Sequence, residues 1–87
     1  MNANQALSIE EKIRAILKGY ASLERDAYAL RIDDDLYEAG MTSHASVNVM
    51  LALESEFNLE FPDQMLTRSM FESIESMQSA VEGLIAA

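Results

Sequence analysis

Apolar residues along this chain recur at helical spacing and hardly ever alternate. Ile9, Ile13, Ile16, Leu17 and Tyr20 fall three and four residues apart, one face of a helix. Just ahead of them stands Ser8-Ile9-Glu10-Glu11, a capping-box pattern in which Ser8 and Glu11 satisfy exposed backbone N–H groups. The pattern predicts a first helix from about residue 8 to about residue 22. From about Leu23 to Thr42 no period is sustained. This stretch holds Asp33-Asp34-Asp35 and ends on Gly40. A connection of roughly 20 residues is uncommon in a compact domain and is often functional. Leu30, Ile32, Leu36 and Tyr37 are expected to pin it to the core.

Ser43 to Phe57 reads as a second helix, with Ser46, Val49, Met50, Leu53 and Phe57 on one face. Val47 and Leu51 form a second apolar stripe well off the first, preceded by His44. A surface helix needs only one apolar stripe of about 100 degrees. Either the second helix is buried almost all round, or Val47 and Leu51 form an exposed patch that meets a partner. Full burial is hard to arrange in so short a chain. Asn58 ends the helix, and Leu59-Glu60-Phe61 leads extended into Pro62. Proline suits a first helical turn, so a short third helix is expected over Asp63 to Arg68. Ser73 is a good N-cap for a fourth helix carrying Ile74, Met77, Val81, Leu84 and Ile85. The fold expected is a small all-α four-helix bundle, three longer helices and one short, with a long first loop. Residues 1–87 form one domain, with residues 1–7 expected to fray.

With 87 residues and 49% hydrophobic content there is room for one core. The longest unbroken apolar run, Val49 to Leu53, falls far short of the ~20 residues of a membrane span. Met1 to Ser8 contains no apolar signal segment, which points to a cytoplasmic protein. No cysteine and a single histidine leave no disulfide framework, no catalytic thiol and no His- or Cys-based metal site. Net charge is −9, and it is uneven: from Asp33 onward Arg68 is the single basic residue among many acids. Nucleic acid and anionic membranes are poor partners for such a surface, and a basic protein patch is a good one.

Most chemical constellations fail. Asp33-Asp34-Asp35 opens like a calcium loop, yet Glu38 and His44 stand where that loop needs Gly and Glu. Ser43 and His44 are adjacent on a helix and do not face each other, so they make no nucleophile–base dyad. No Gly-rich phosphate loop is present. What remains is a serine in a particular setting: Gly40 allows a turn closed to other residues, and Thr42 or Ser43 then starts the second helix. A hydroxyl there sits at the positive end of the helix dipole, where a phosphate is favoured. Equally, Ser43 can be simply an N-cap.

Gly40-Met41-Thr42-Ser43-His44-Ala45-Ser46-Val47, followed by Met50-Leu51-Ala52-Leu53-Glu54 and Phe57, resembles the acyl carrier protein family. Asp35-Leu36 ahead and Phe61-Pro62-Asp63 behind add to the likeness, which spans nearly the whole chain. The resemblance implies a non-catalytic protein whose Ser43 is esterified with 4′-phosphopantetheine, donated from coenzyme A by a phosphopantetheinyl transferase. Thr42 and His44 would flank the attachment point. Acyl groups would ride as thioesters on the arm and be presented to acyl-activating or acyl-transferring enzymes of fatty-acid, lipid or secondary-metabolite biosynthesis. These partners would dock basic patches on a helix-two face of His44, Val47, Leu51, Glu54 and Glu56. Met50, Leu53, Phe57, Leu66, Ile74 and Met77 would line an acyl pocket, and the carrier would be a monomer.

The chain departs from the family at several places. The usual Asp-Ser-Leu is Thr42-Ser43-His44 here, and Ala45 and Asn48 stand where acids are common. These changes suggest a specialised carrier. The extra residues around Thr67 to Met70 could reshape the pocket mouth. Aminoacyl and peptidyl carriers often have a second glycine before the serine, where this chain has Met41 and Thr42, so acyl cargo is the reading preferred from sequence. The alternatives are an aminoacyl or peptidyl carrier, or an unmodified acidic adaptor that binds a basic partner.

Overall fold

The computed structural model describes residues 7–86, so the fraying expected of the N-terminus falls, Leu7 apart, outside the described residues. Four α-helices follow one another: α1 (Ile9–Tyr20), α2 (Ser43–Phe57), α3 (Arg68–Phe71) and α4 (Ile74–Ala86), with a 3-10 turn at Asp63–Met65. No strand occurs among the described residues. α1 packs against both α2 and α4, and α3 closes on α4. Ile13 and Leu17 of α1, Val49 and Leu53 of α2, and Ile74, Met77 and Val81 of α4 meet at the centre, all fully enclosed. Burying each such side chain contributes about 1.5–3 kcal/mol.

The helix boundaries follow from their caps. Ser8 Oγ accepts from the Glu11 N–H at 3.1 Å, while the Ser8 N–H donates to Glu11 Oε1 at 2.9 Å, the reciprocal pair read from sequence. The Ser8 backbone N–H, and then its hydroxyl, hold the Glu11 carboxyl below the usual glutamate range. Its ionised form is the one that caps, so this contribution is present above the ordinary glutamate pKa and fades as acid protonates the folded carboxylate. α2 stops at Asn58, which takes the left-handed conformation with φ 52°. Ser73 Oγ accepts from the Ser76 N–H at 3.1 Å at the head of α4. Tyr20, placed on the apolar face by its spacing, is the last residue of α1 and is exposed instead.

The region between Asp63 and Phe71 differs from the single short helix expected at Asp63 to Arg68. Leu66 leaves helical space at ψ 70°, and Thr67 is extended and accepts from the Met70 N–H. The segment therefore breaks into the 3-10 turn and a separately capped α3.

The long connection between α1 and α2 is aperiodic but far from structureless. Leu36 donates through its backbone to the Glu72 carbonyl at 2.7 Å, and the Ile32 carbonyl accepts from the Glu75 N–H at 2.9 Å. The loop thus satisfies a donor in the first turn of α4 that the helix cannot satisfy itself. Leu30 and Leu36 are buried as expected, Tyr37 is half-buried, and Ile32 is exposed, its role being carried by its carbonyl. Arg14 reaches from α1 across the loop, donating from Nη1 to the carbonyls of Ala27 at 2.8 Å and Leu30 at 2.7 Å.

Candidate functional site

The loop delivers Gly40 to a turn at φ 116°, a conformation that side chains other than hydrogen rarely adopt. A Cβ there would also lie 3.0 Å from both the backbone nitrogen and the Cγ of Glu24. That contact exists because the Glu24 N–H donates to the Ala39 carbonyl at 2.9 Å, holding the end of the loop against its beginning. Gly40→Ala should therefore lower stability by about 1–3 kcal/mol, measurable as a lower urea midpoint. A midpoint within error of wild type would show that the turn relaxes freely.

Met41 then buries its side chain, and Thr42 caps α2: its Oγ1 accepts from the Ala45 N–H at 3.0 Å. The capping role left open between Thr42 and Ser43 thus falls to Thr42. Ser43 is the first helical residue. It is exposed, and among the described residues nothing hydrogen-bonds its hydroxyl. Its carbonyl is occupied by Ser46 Oγ at 2.6 Å, which turns the second serine inward. α2 has no acidic residue in its first turn, so the positive end of its dipole is not offset from within the helix. A free hydroxyl in that field suits esterification to a phosphate.

Beside Ser43 lies an open groove of about 510 Å³. Ser43, Ser46, Val47 and Met50 form one wall, Leu66, Thr67, Arg68 and Phe71 the other, and Tyr37 comes from the loop. Of the six side chains expected in an acyl pocket, Met50 and Leu66 line this groove. Leu53, Ile74 and Met77 do not; at 0% exposure they are packed core. Phe57 is half-buried towards the other end of α2, with the Lys12 ammonium 5.6 Å from its ring centroid. Periodicity marks which side of a helix is inward, but it does not separate a cavity wall from a filled interior.

The second stripe of α2 is exposed. Val47 is 50% and Leu51 54% accessible, and His44 is exposed on the same side, outside the groove. Both acids expected on this face have structural work elsewhere. Glu54 is half-buried and accepts from the Phe61 N–H at 2.9 Å. Glu56 lies about 140 degrees round the helix from Leu51 and reaches Lys12 of α1 at 3.6 Å. Tyr37 and Phe71 were not read as site residues from sequence, whereas Thr67 and Arg68 belong to the stretch expected at the pocket mouth. Two segments, the loop and the stretch from Thr67 to Phe71, bring these four together, and neither Tyr37 nor Phe71 carried a signal of this role.

Comparison with known proteins bears on this arrangement. Residues 11–80 match the family described as phosphopantetheine attachment site. The chain belongs to this family of carrier proteins. The aminoacyl carrier protein of Agrobacterium fabrum is 40% identical over 70 residues, covering 80% of this chain and 84% of the relative. Aminoacyl carrier protein 1 of Bradyrhizobium diazoefficiens is 32% identical over 75 residues, 84% of this chain and 81% of that one. Among solved structures, the crystal structure of an engineered Bradyrhizobium japonicum glycine:[carrier protein] ligase complexed with carrier protein from Agrobacterium tumefaciens and AMP matches with a TM-score of 0.82 and 38% identity. The match covers 84% of this chain and 97% of that chain, a length that fits the carrier and not the ligase.

The carrier therefore bears a covalent 4′-phosphopantetheine and is not itself an enzyme. The unmodified adaptor is set aside. When attached, the arm supplies the thiol on which cargo is held, and the chain has no cysteine of its own. The residues fit the group: a free, exposed hydroxyl, a helix N-terminus and an adjoining groove. Among the described residues no helix is long and apolar enough to cross a membrane, and no cluster of three potential metal ligands occurs.

Proposed function

We propose that Ser43 carries the phosphopantetheine arm and that the cargo is an aminoacyl group, loaded by an ATP-dependent amino acid:[carrier protein] ligase. The observation that carries the cargo reading is the 40% identity with a protein named aminoacyl carrier protein. The likeness to a carrier complexed with a glycine:[carrier protein] ligase supports the class of loading enzyme. This reverses the preference for acyl cargo drawn from Met41 and Thr42. Met41 is buried, so a glycine there would leave a cavity in the core, and Thr42 supplies the side-chain cap of α2. Their presence reflects packing and says nothing against aminoacyl cargo.

The test is to load the protein from coenzyme A with a phosphopantetheinyl transferase, then supply ATP, an amino acid and such a ligase. The expected product is an aminoacyl adduct on the loaded protein alone, whose thioester hydroxylamine cleaves to the amino acid hydroxamate and the free thiol. Transfer of malonyl or fatty-acyl groups with no amino acid accepted from several ligases would restore the acyl reading.

Val47 and Leu51, with His44 beside them, form the face offered to partner enzymes. The net charge of −9 favours basic docking patches and makes encounter salt-dependent. Leu51→Arg should leave the melting temperature nearly unchanged, since surface substitutions stay within about 0.5 kcal/mol. The same change should lower transferase kcat/KM about tenfold, the equivalent of ~1.4 kcal/mol at a docking contact. Unfolding of the variant, or unchanged kinetics, would contradict the assignment.

A further inference from the structure

Arg68 is the one arginine that forms no ion pair among the described residues. Arg14 pairs with Glu10, Arg25 with Asp34 and Arg31 with Asp33. In a protein with 15 acids and six bases, an unpaired arginine is the exception. Its place is equally particular: the guanidinium carbon sits 3.9 Å from the centroid of the Tyr37 ring, and both side chains line the groove that holds Ser43. Tyr37 is itself anchored, its backbone N–H donating to Asp35 Oδ1 at 2.9 Å. A guanidinium stacked on an aromatic face keeps its N–H donors at the edge, aimed sideways and available to an oxyanion.

From these positions we infer that Arg68, laid against Tyr37, is the ionic contact for the phosphodiester of the arm on Ser43. This inference rests on Ser43 as the attachment point and adds what happens beside it. The phosphodiester is the one anion that a carrier of this family must place next to residue 43. Elsewhere beyond Asp33 the chain is acidic and would repel that group; Arg68 supplies the local exception. Arginine meets phosphate oxygens with two parallel donors, which fixes orientation as well as charge. Arg68 would thus bias the arm to lie along the groove instead of swinging freely. Tyr37 is the positioning residue, because its ring holds the guanidinium in place.

The test uses the full chain loaded with phosphopantetheine, compared as wild type, Arg68→Gln, Arg68→Lys and Tyr37→Leu by 31P NMR. Arg68 is exposed, so the glutamine variant should keep the wild-type circular dichroism and melting temperature. The expected result is that Arg68→Gln moves the phosphodiester resonance towards that of free phosphopantetheine. Raising salt to about 0.5 M should move the wild-type resonance the same way by screening, and leave the glutamine variant where it is. Arg68→Lys and Tyr37→Leu should fall between the two. A protein that gains the arm but shows the same resonance and salt response with and without Arg68 would overturn the contact and leave the attachment site standing. Unchanged 31P spectra together with weakened ligase turnover in Arg68→Gln would assign Arg68 to a partner's carboxylate. Failure of Ser43 to take up the arm at all would overturn both proposals.

Discussion

Ser43→Ala should give a folded carrier that takes up no phosphopantetheine. The hydroxyl is exposed, nothing among the described residues holds it, and the cap of α2 belongs to Thr42. Alanine is a good helix former, so stability should stay within about 0.5 kcal/mol of wild type. The neighbouring hydroxyls are the controls. Ser46 is 8% exposed and spends its proton on the Ser43 carbonyl, so Ser46→Ala should still load. Thr42→Ala should lose about 1 kcal/mol of stability through the missing cap and also still load. Intact mass after incubation with coenzyme A and a transferase reads all three. Loading of Ser43→Ala to the wild-type extent would remove Ser43 from the account.

The largest expected loss of stability belongs to Arg14→Met. The Arg14 side chain is only 12% exposed, and its Nε pairs with Glu10 Oε2 at 2.9 Å. Its Nη1 serves two loop carbonyls, those of Ala27 and Leu30, whose residues are both buried. Methionine fills much of the same space and donates nothing, so two enclosed acceptors lose their donor. Each costs about 1–3 kcal/mol to leave unsatisfied. The expected sum of roughly 2–6 kcal/mol is a large part of the 5–15 kcal/mol typical of a domain. Arg14→Lys should recover less than half, because a single ammonium does not reproduce the guanidinium fork. Chemical denaturation measures the loss. Hydrogen exchange should show the loop opening first, at the Glu24 and Met41 amides that close it. A midpoint unchanged in Arg14→Met would show that water replaces the guanidinium without penalty.

Local chemistry made the helices legible. The Ser8 and Ser73 caps, the left-handed Asn58 and the inward faces of α1, α2 and α4 depend on residues close together in sequence, where spacing carries the information. The exposed Val47–Leu51 stripe was legible for a related reason: a small bundle cannot bury both sides of one helix. What was hidden depends on backbone atoms or on distant segments. Arg14 reads as one more surface charge on an amphipathic helix, since its partners are loop carbonyls that no residue type announces. Glu54 and Glu56 read as face acids, but a backbone N–H at Phe61 and an ammonium on α1 draw them off. The break at Leu66 was missed because Pro62 signals only where a helix can begin. The Thr67 cap shows where the next one starts.

Ser43 itself was legible as a hydroxyl at a helix start, with its capping role unresolved. The groove was legible in part: Met50, Leu66 and the stretch from Thr67 were expected at a pocket, but Tyr37 joins them only once the loop has folded back towards α3. Packed core residues such as Leu53 and Met77 looked equally suited because helical spacing marks the inward side without separating a cavity wall from a filled interior.

Peptide mapping of the loaded wild-type protein tests the central claim most directly. After transfer from coenzyme A, fragmentation by tandem mass spectrometry locates the phosphopantetheine on one residue. The account predicts a single modified position, Ser43, in the peptide that runs through Thr42 and Ser46. The arm on Thr42, Ser46 or Ser73, with Ser43 unmodified, would contradict it.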